Sequence, residues 1–290
     1  MTIGLAMLVR DEEATIERAI AQALPVVDHV TILDTGSTDN TIDVAKATLY
    51  ETGTDYLVEQ RPFDGFGPSR TALLEFARQA PTEHTLMLDA DHQLHIEGER
   101  PDLDADEYMV RVRDDGGRLP LLTRTQHPFR YEGVAHAYLC SDVPPKIAHT
   151  DWLSIDGGPG ASREKLERDL VLLKQAHEDD PADRRTVFYL AQTYRDLDMV
   201  DAAIAMYRKR AQMGGWPEEV YWARYQAGCL LAEHVSFQQG AHHLLAAWES
   251  RPTRIEALRA LANSANAVAN KTPVPDDILF VQPAAYAATP

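Results

Sequence analysis

Two aspartates that directly follow a predicted strand have the spacing of a metal site. The stretch Thr85-Leu86-Met87-Leu88 has the composition of a buried strand and leads into Asp89-Ala90-Asp91. Alternate residues of an extended chain point to the same side, so the two carboxylates can converge on one hard cation at the carboxyl edge of a sheet. The pattern predicts a site for a divalent cation and a diphosphate. Taken alone, Asp-x-Asp after a strand is equally typical of a solvated turn.

The elements upstream of this motif alternate between strand and helix. An apolar run from Ile3 to Val9 is followed by apolar residues at helical spacing from Ile16 to Ala23, and a second strand ends on Asp34. A third short strand lies at 56–58, and a helix is predicted from Ser69 to Ala77. This alternation indicates an α/β domain with a mainly parallel sheet.

Composition limits the classes of protein that fit. The chain has 290 residues, 44% hydrophobic and 25% charged, which suits a soluble globular protein of two domains. The formal charge of -17 opposes nonspecific binding to nucleic acid or to an anionic membrane. No apolar run has the length of a membrane span, the start lacks a basic leader, and Cys140 and Cys229 lack metal-ligand spacing. A cytoplasmic protein without a disulfide is therefore expected.

Four short motifs occur in a fixed order along the first part of the chain. They are Leu8-Val9-Arg10-Asp11-Glu12-Glu13, Asp34-Thr35-Gly36-Ser37-Thr38-Asp39-Asn40-Thr41, Ser69-Arg70 and Leu88-Asp89-Ala90-Asp91. Together they resemble the family 2 glycosyltransferases, which have the GT-A fold. The ordered set is far more specific than any single motif.

This resemblance implies a nucleotide-sugar donor, usually linked to UDP. It implies that Val9, Arg10 and Asp34 surround the base and ribose and that Arg70 faces the diphosphate. It further implies that Asp89 and Ala90 contact the donor, while Asp89 and Asp91 hold Mn2+ or Mg2+. Elementary chemistry agrees, because a cation and an arginine stabilise the charge that grows on a diphosphate leaving group.

The motifs depart from the family pattern at three positions. Asp11 stands where Asn is usual, Thr71 stands where Asn is common, and His92 follows the Asp-Ala-Asp where an acid is frequent. Asp11 adds negative charge near a nucleotide, so we expect it to face away or to pair with Arg10. None of these departures removes a predicted metal ligand.

A later segment supplies the candidates for a catalytic base. The sequence Phe129-Arg130-Tyr131-Glu132-Gly133-Val134-Ala135-His136 resembles the Phe-Glu-Gly-x-Val-His-Glu segment of bacterial family 2 enzymes, with Ala137 in place of the final acid. An inverting transferase needs a group that takes the proton of the acceptor. Glu132 is the first candidate and His136 the second. The alternatives are a surface glutamate and a histidine hydrogen-bonded in the sheet.

His149 is a candidate third ligand of the metal. Many GT-A enzymes bring a histidine from the end of the catalytic domain to the ion, and His149 resembles it in position. The alternative is a histidine at the end of a structural strand.

From Ser162 onward the pattern contains helices only. The residues Leu190, Ala191, Tyr194, Ala203 and Tyr207 lie where tetratricopeptide repeats place their packing residues, and a weaker second copy follows over 227–252. The predicted organisation is a GT-A catalytic domain at 1–155, a tetratricopeptide-like helical domain at 162–270, and an extended tail at 271–290.

The predicted activity is metal-dependent, inverting transfer of a sugar from a nucleoside-diphosphate sugar, most simply a UDP-sugar. The acceptor remains open among a glycan, a lipid, a peptide and a hydroxymethylated base of phage DNA, of which DNA is disfavoured by the net charge.

Two alternative functions belong to other classes. A sugar nucleotidyltransferase would have a glycine-rich basic loop where Arg10-Asp11-Glu12-Glu13 stands. An inactive domain on a repeat scaffold would bind a protein partner through the helices, but the presence of Asp34, Arg70, Asp89 and Asp91 argues against it.

Overall fold

The computed structural model describes residues 1–113, 116–157 and 162–269. The chain divides into two compact units, Met1–Ala161 and Ser162–Pro290. The predicted tail at 271–290 lies outside the described residues.

The first unit alternates strands and helices in its first half and is richer in strands in its second half. Its elements are β1 (Ile3–Val9), α1 (Ile16–Ala23), β2 (His29–Asp34), α2 (Thr41–Thr52), β3 (Tyr56–Gln60), α3 (Phe66–Ala77), β4 (His84–Met87), β5 (Gln93–Ile96), β6 (Glu107–Val112), β7 (Arg118–Arg124), β8 (Arg130–Glu132), β9 (Tyr138–Cys140) and β10 (Ile147–Asp156).

Eight of these strands form one sheet in the order β3-β2-β1-β4-β7-β6-β10-β5, and β8 pairs with β9 in a small second sheet. Four neighbouring pairs in the large sheet are parallel and three are antiparallel. The expectation of a mainly parallel α/β sheet followed by helices is confirmed. The chain order reverses between β1 and β4, and the crevice at the carboxyl ends of strands beside such a reversal is where open sheets bind ligands.

The two faces of the large sheet are covered by different helices. Along β1, Ile3, Leu5 and Met7 pack in one core with α1 and α2, whereas Ala6 packs in the other core with α3. Strands that are buried on both faces require continuous apolar sequence, and the run from Ile3 to Val9 meets this requirement.

The second unit contains helices only within its described residues. They are α4 (Arg163–Asp179), α5 (Arg184–Asp196), α6 (Val200–Gln212), α7 (Pro217–His234), α8 (Phe237–Ser250) and α9 (Glu256–Ala269). Successive helices pack against each other, as the repeat pattern predicts.

Glycines allow the last helices of this array to approach closely. A Cβ atom at Gly228 of α7 would lie 2.7 Å from Leu244 Cγ of α8, and one at Gly240 of α8 would overlap Ala232 Cβ of α7. Both contacts are far shorter than van der Waals separation, so any larger residue would push α7 and α8 apart. Within the described residues, no helix combines the length and the apolarity needed to cross a membrane.

Candidate active site

Two loops at the carboxyl ends of β1 and β2 are joined by hydrogen bonds from Asp11. Its backbone nitrogen donates to Ser37 Oγ at 3.0 Å, and its Oδ1 accepts from Thr38 N at 2.6 Å and Thr38 Oγ1 at 3.2 Å. Its Oδ2 lies 3.8 Å from Arg10 Nε. The acid that replaces the usual Asn therefore fastens the loops together and pairs with Arg10.

Asp34 is held rigidly at the end of β2. Its side chain is buried, its Oδ1 accepts from Ser37 N at 3.0 Å and Ser37 Oγ at 2.7 Å, and its Oδ2 accepts from Gln60 Nε2 at 2.9 Å. Val9 is its register partner on β1, so these two predicted donor-binding residues are adjacent. Arg10, the next residue, is exposed.

A cavity of about 340 Å³ opens beside Asp34, within the range of small-ligand pockets. It is lined by Asp34, Ser37, Asp39, Ile42, Asp43, Lys46, Val58 and Gln60.

Arg70 of α3 forms an ion pair with Asp89. Its Nη2 lies 2.8 Å from Asp89 Oδ1 and 2.6 Å from Asp89 Oδ2, and its guanidinium lies 5.6 Å from the ring centroid of Tyr131. The Asp89 carboxylate raises the pKa of Arg70, and burial raises the pKa of Tyr131 to about 12. The pair is accessible, because 22% of the Arg70 side chain and 37% of the Asp89 side chain remain exposed.

Asp89, Asp91 and His92 form a candidate metal centre. Each of these three residues offers one ligand atom, and the three atoms lie within 4.8 Å of one another. One ring nitrogen of His92, Nδ1, is buried and has no hydrogen-bond partner in the described part of the chain. Two carboxylates and an imidazole suit a divalent ion such as Mn2+. The residues therefore fit the cation that the sequence predicts.

The loop that carries these groups is held from α1. Arg18 Nη2 donates to the backbone oxygens of Ala90 at 3.3 Å and Asp91 at 3.4 Å, and Ala90 itself is buried in the core that α1 and α2 share. The backbone nitrogen of His92 donates to the oxygen of Asp89 at 3.1 Å, which closes the turn.

The structure does not bring His149 to this group. His149 is exposed near the start of β10, where it pairs with Met109 of β6. Three strand spacings separate β10 from β4 in the sheet, which corresponds to roughly 14 Å. The third member of the cluster is therefore His92, whereas the sequence predicted His149 as the third ligand.

The segment with the predicted base is docked on the start of α3. Gly67 N donates to Gly133 O at 2.9 Å, and Phe66 N donates to Val134 O at 3.2 Å. A Cβ atom at Gly67 would lie 2.7 Å from Gly133 O, so this contact requires glycine. The helix that carries Arg70 thereby fixes the 131–136 segment next to it.

The carboxylate of Glu132 accepts hydrogen bonds from two side chains of the small second sheet. Its Oε1 accepts from Arg130 Nη2 at 2.8 Å and its Oε2 accepts from Tyr138 Oη at 2.7 Å. The Tyr138 hydrogen bond and then the Arg130 contact lower the pKa of Glu132, which weakens it as a base. Successive residues of β8 point to opposite sides, so Glu132 faces away from the side on which Tyr131 meets Arg70. His136 is exposed and has a φ of 50°, in the left-handed region.

Three residues of this region have roles that the sequence did not indicate. Arg18 supports the metal loop, Tyr131 packs beneath Arg70, and His92 joins the acids. Only His92 had a local signal, since it directly follows the Asp-x-Asp pair.

Comparisons with known proteins bear on the first unit. Residues 5–98 match the family model of glycosyl transferase family 2. No curated protein matches the chain significantly. The matched segment contains Val9, Arg10, Asp34, Arg70 and the metal-site acids.

Solved structures match parts of the chain only. Glucosyl-3-phosphoglycerate synthase from Mycobacterium tuberculosis, in complex with Mn2+, UDP and phosphoglyceric acid, is 28% identical over 31% of this chain and 33% of that chain, with a TM-score of 0.25. A MamA structure (MSR-1 C2) is 22% identical over 36% of this chain and 57% of that chain, with a TM-score of 0.32. The chain thus spans less than two thirds of either protein, and TM-scores this low do not assign a common overall fold or function.

The segment that matches the family model also contains the residues of the candidate site at the carboxyl edge of the large sheet. Residues 5–98 match the family model of glycosyl transferase family 2, and the matched segment contains the Arg70–Asp89 pair and the candidate metal centre.

Proposed function

We propose that this chain is a metal-dependent glycosyltransferase that moves a sugar from a nucleoside-diphosphate sugar, with UDP as the nucleotide. The observation that carries the proposal is the convergence of Asp89, Asp91 and His92 beside Arg70 at the carboxyl end of β4, inside a family 2 domain. A divalent cation and an arginine both stabilise the negative charge of a diphosphate, so this combination suits the donor.

Asp91 and His92 hold the ion in this proposal, and Asp89 contributes to it while it orients Arg70. When bound, Mn2+ or Mg2+ supplies Lewis-acid stabilisation of the diphosphate leaving group. Arg70 directs its guanidinium toward the same diphosphate, and the ring of Tyr131, whose centroid lies 5.6 Å away, packs against that guanidinium. The arginine is placed before the reaction begins, which reduces the reorganisation needed as charge develops.

The cavity beside Asp34 receives the nucleoside. A carboxylate has about four acceptor positions, so Asp34 retains capacity for a base N–H or a ribose hydroxyl beyond its three internal hydrogen bonds. Val9 is the register partner of Asp34 on the adjacent strand, and Arg10 follows it, so both are candidates for contacts with the same nucleoside.

The base that deprotonates the acceptor is one of Glu132 and His136, and inversion at the anomeric carbon follows from a single in-line displacement. The hydrogen bonds that Glu132 accepts from Arg130 and Tyr138 favour His136. The acceptor is a glycan, a lipid, a peptide or a modified DNA base, and the helical unit offers contacts for a protein partner. A cytoplasmic location, expected from two free cysteines, belongs to the same proposal.

The activity is tested by UDP release from a panel of UDP-sugars with Mn2+, followed by acceptor classes with the best donor. We expect slow hydrolysis of one donor, which chelation of the metal abolishes. No UDP release from any donor, together with no UDP binding, would contradict the proposal.

The two base candidates are then compared as Glu132→Gln and His136→Ala. We expect the His136 variant to keep donor affinity but to slow transfer by about two to four orders of magnitude. Normal transfer by His136→Ala and slow transfer by Glu132→Gln would reverse the assignment.

A further inference from the structure

The helical unit contains a groove that is lined only by its own residues. It lies between α6 and α8 above α7, has a volume of about 610 Å³, and is lined by Arg208 of α6, Arg224 of α7, and His242 and His243 of α8. A second cavity of about 340 Å³, lined by Arg208, His242 and His243 among others, extends it. Three helices thus bring four basic side chains to one depression.

In the described part of the chain, none of these four basic groups forms an ion pair with an acid. Within the described residues, Arg208 makes no ion pair, and Arg224 makes one hydrogen bond, from Nη1 to Ala246 O at 3.4 Å. Burial lowers the pKa of His243, and the neighbouring Arg208, His242 and Arg224 lower it further, with no acid acting in the opposite direction. One acid, Glu249, also lines the groove, and it is exposed.

The chain as a whole is acidic, with 45 acidic residues against 28 lysines and arginines. A groove lined by two arginines and two histidines contrasts with this average composition. Arg208 and Arg224 place two like charges on one groove, and like charges that converge destabilise the folded protein. An anion bound in the groove would offset this repulsion and would thereby stabilise the folded protein.

The cluster also stands on rigid elements. Gly228 lies one turn after Arg224 on α7 and packs directly on Leu244, the residue after His243 on α8. This close approach fixes the spacing between Arg224 and His243. A site built on packed helices holds its donors more accurately than one built on loops.

We propose that the groove between α6 and α8 is a binding site for a phosphate monoester. A phosphate carries up to two charges and offers three free oxygens, so it can engage arginine in bidentate fashion and a histidine at the same time. The groove is much larger than a phosphate group and leaves room for an organic body. The phosphate can belong to a small metabolite or to a phosphorylated side chain, and the experiment distinguishes these sources.

The test titrates the full chain with inorganic phosphate in the presence of a metal chelator, so that the centre at Asp91 does not contribute. Histidine ring resonances in NMR spectra report the site, with His242→Gln and His243→Gln variants for assignment. We expect a saturable shift of both histidines, and we expect Arg208→Gln and Arg224→Gln each to weaken phosphate binding about tenfold or more.

Arg259→Gln is the matched control, since Arg259 is an exposed arginine of the same unit on α9, outside the groove. It should leave the phosphate affinity unchanged. If Arg224→Gln lowers the thermal stability, the exposed Arg208→Gln decides the outcome by itself.

Three results would overturn the proposal. They are the absence of saturable binding up to about 10 mM phosphate, binding that both arginine variants retain in full, and binding of succinate as tight as that of phosphate. Glucose 1-phosphate and a phosphoserine peptide complete the titrations. Tighter binding of one of them than of inorganic phosphate supports the site and identifies the source, and equal binding of all three supports recognition of the phosphate group alone.

Discussion

Each unit of this chain contains an arginine-carboxylate pair, and the two pairs differ in burial. In the first unit Arg70 meets Asp89 at 2.6 Å, and the side chains retain 22% and 37% exposure. In the second unit Arg210 meets Glu219 at 2.8 Å, and the side chains retain 1% and 9%. Nearly the same contact thus occurs once at an open edge and once inside a helical core.

This difference in burial decides what each pair can do. Arg210 also donates from Nη1 to Gly214 O at 2.7 Å, so its guanidinium is committed to internal partners. Arg70 and Asp89 can exchange contacts with a ligand, because solvent already reaches them. An arginine and a carboxylate are thus available to a ligand where they are accessible, and they contribute to packing where they are buried.

The largest expected effect is the loss of metal-dependent donor binding in Asp91→Ala. Removal of one carboxylate leaves the charge of a bound dication uncompensated, so calorimetry should detect no binding of UDP with Mn2+. Thermal stability should remain near that of the parent, because Asp91 lies at the accessible edge. Asp102→Ala, an exposed aspartate of the same unit, is the control. UDP affinity equal to that of the parent would show that the metal assignment is wrong.

The next effect sharpens the contrast between the two ion pairs. Arg210→Met should lower the free energy of unfolding of the helical unit by about 3 kcal/mol, because Glu219 stays buried and keeps only the more distant Arg185 Nη1, at 3.8 Å, as a cationic partner. Arg70→Met should lower the free energy of unfolding by only about 0–1 kcal/mol, since its pair is partly solvated, yet it should weaken UDP binding. Calorimetric unfolding and UDP titration of both variants measure this.

A second substitution checks the cause of the instability. Arg210→Met combined with Glu219→Leu should regain most of the lost stability, because no buried charge remains. If Arg70→Met and Arg210→Met destabilise equally, the distinction between a binding pair and a packing pair fails.

The smallest effect distinguishes two histidines. His92→Ala should weaken binding of Mn2+ with UDP by about 10-fold to 100-fold and reduce the preference for Mn2+ over Mg2+, because an imidazole ligand favours the softer ion. His149→Ala, the matched control on β10, should change neither quantity. A loss in His149→Ala alone would restore the original sequence prediction and contradict the cluster of Asp89, Asp91 and His92.

Part of the site was predictable because it depends on strand ends. Asp34, Asp89 and Asp91 each follow an apolar strand, and parallel strands place such residues at one edge of the sheet. The helical unit was predictable for a similar reason, since small and large residues recur at the spacing of packed helices. Ala191, Ala203 and Tyr207 do share one buried cluster.

The rest depended on neighbours that the sequence separates. His149 has the position of a family metal ligand along the chain, but its strand lies three places from β4 in the sheet order. Glu132 has the position of a base, but Tyr138 and Arg130 hold its oxygens. The choice among polar candidates therefore required the pairing of strands and the direction of side chains.

The sequence by itself determined the strand ends, the alternation of elements and the change to helices at Ser162, because periodicity and chain breaks are local properties. Only the tertiary structure decided which groups meet. Arg70 lies 19 residues before Asp89 yet forms its ion pair, and Arg208, Arg224 and His243 come from three helices to one groove. Contacts between residues so far apart in sequence depend on how the helices and strands pack. The burial of apolar faces determines that packing, and the polar residues that come into contact do not.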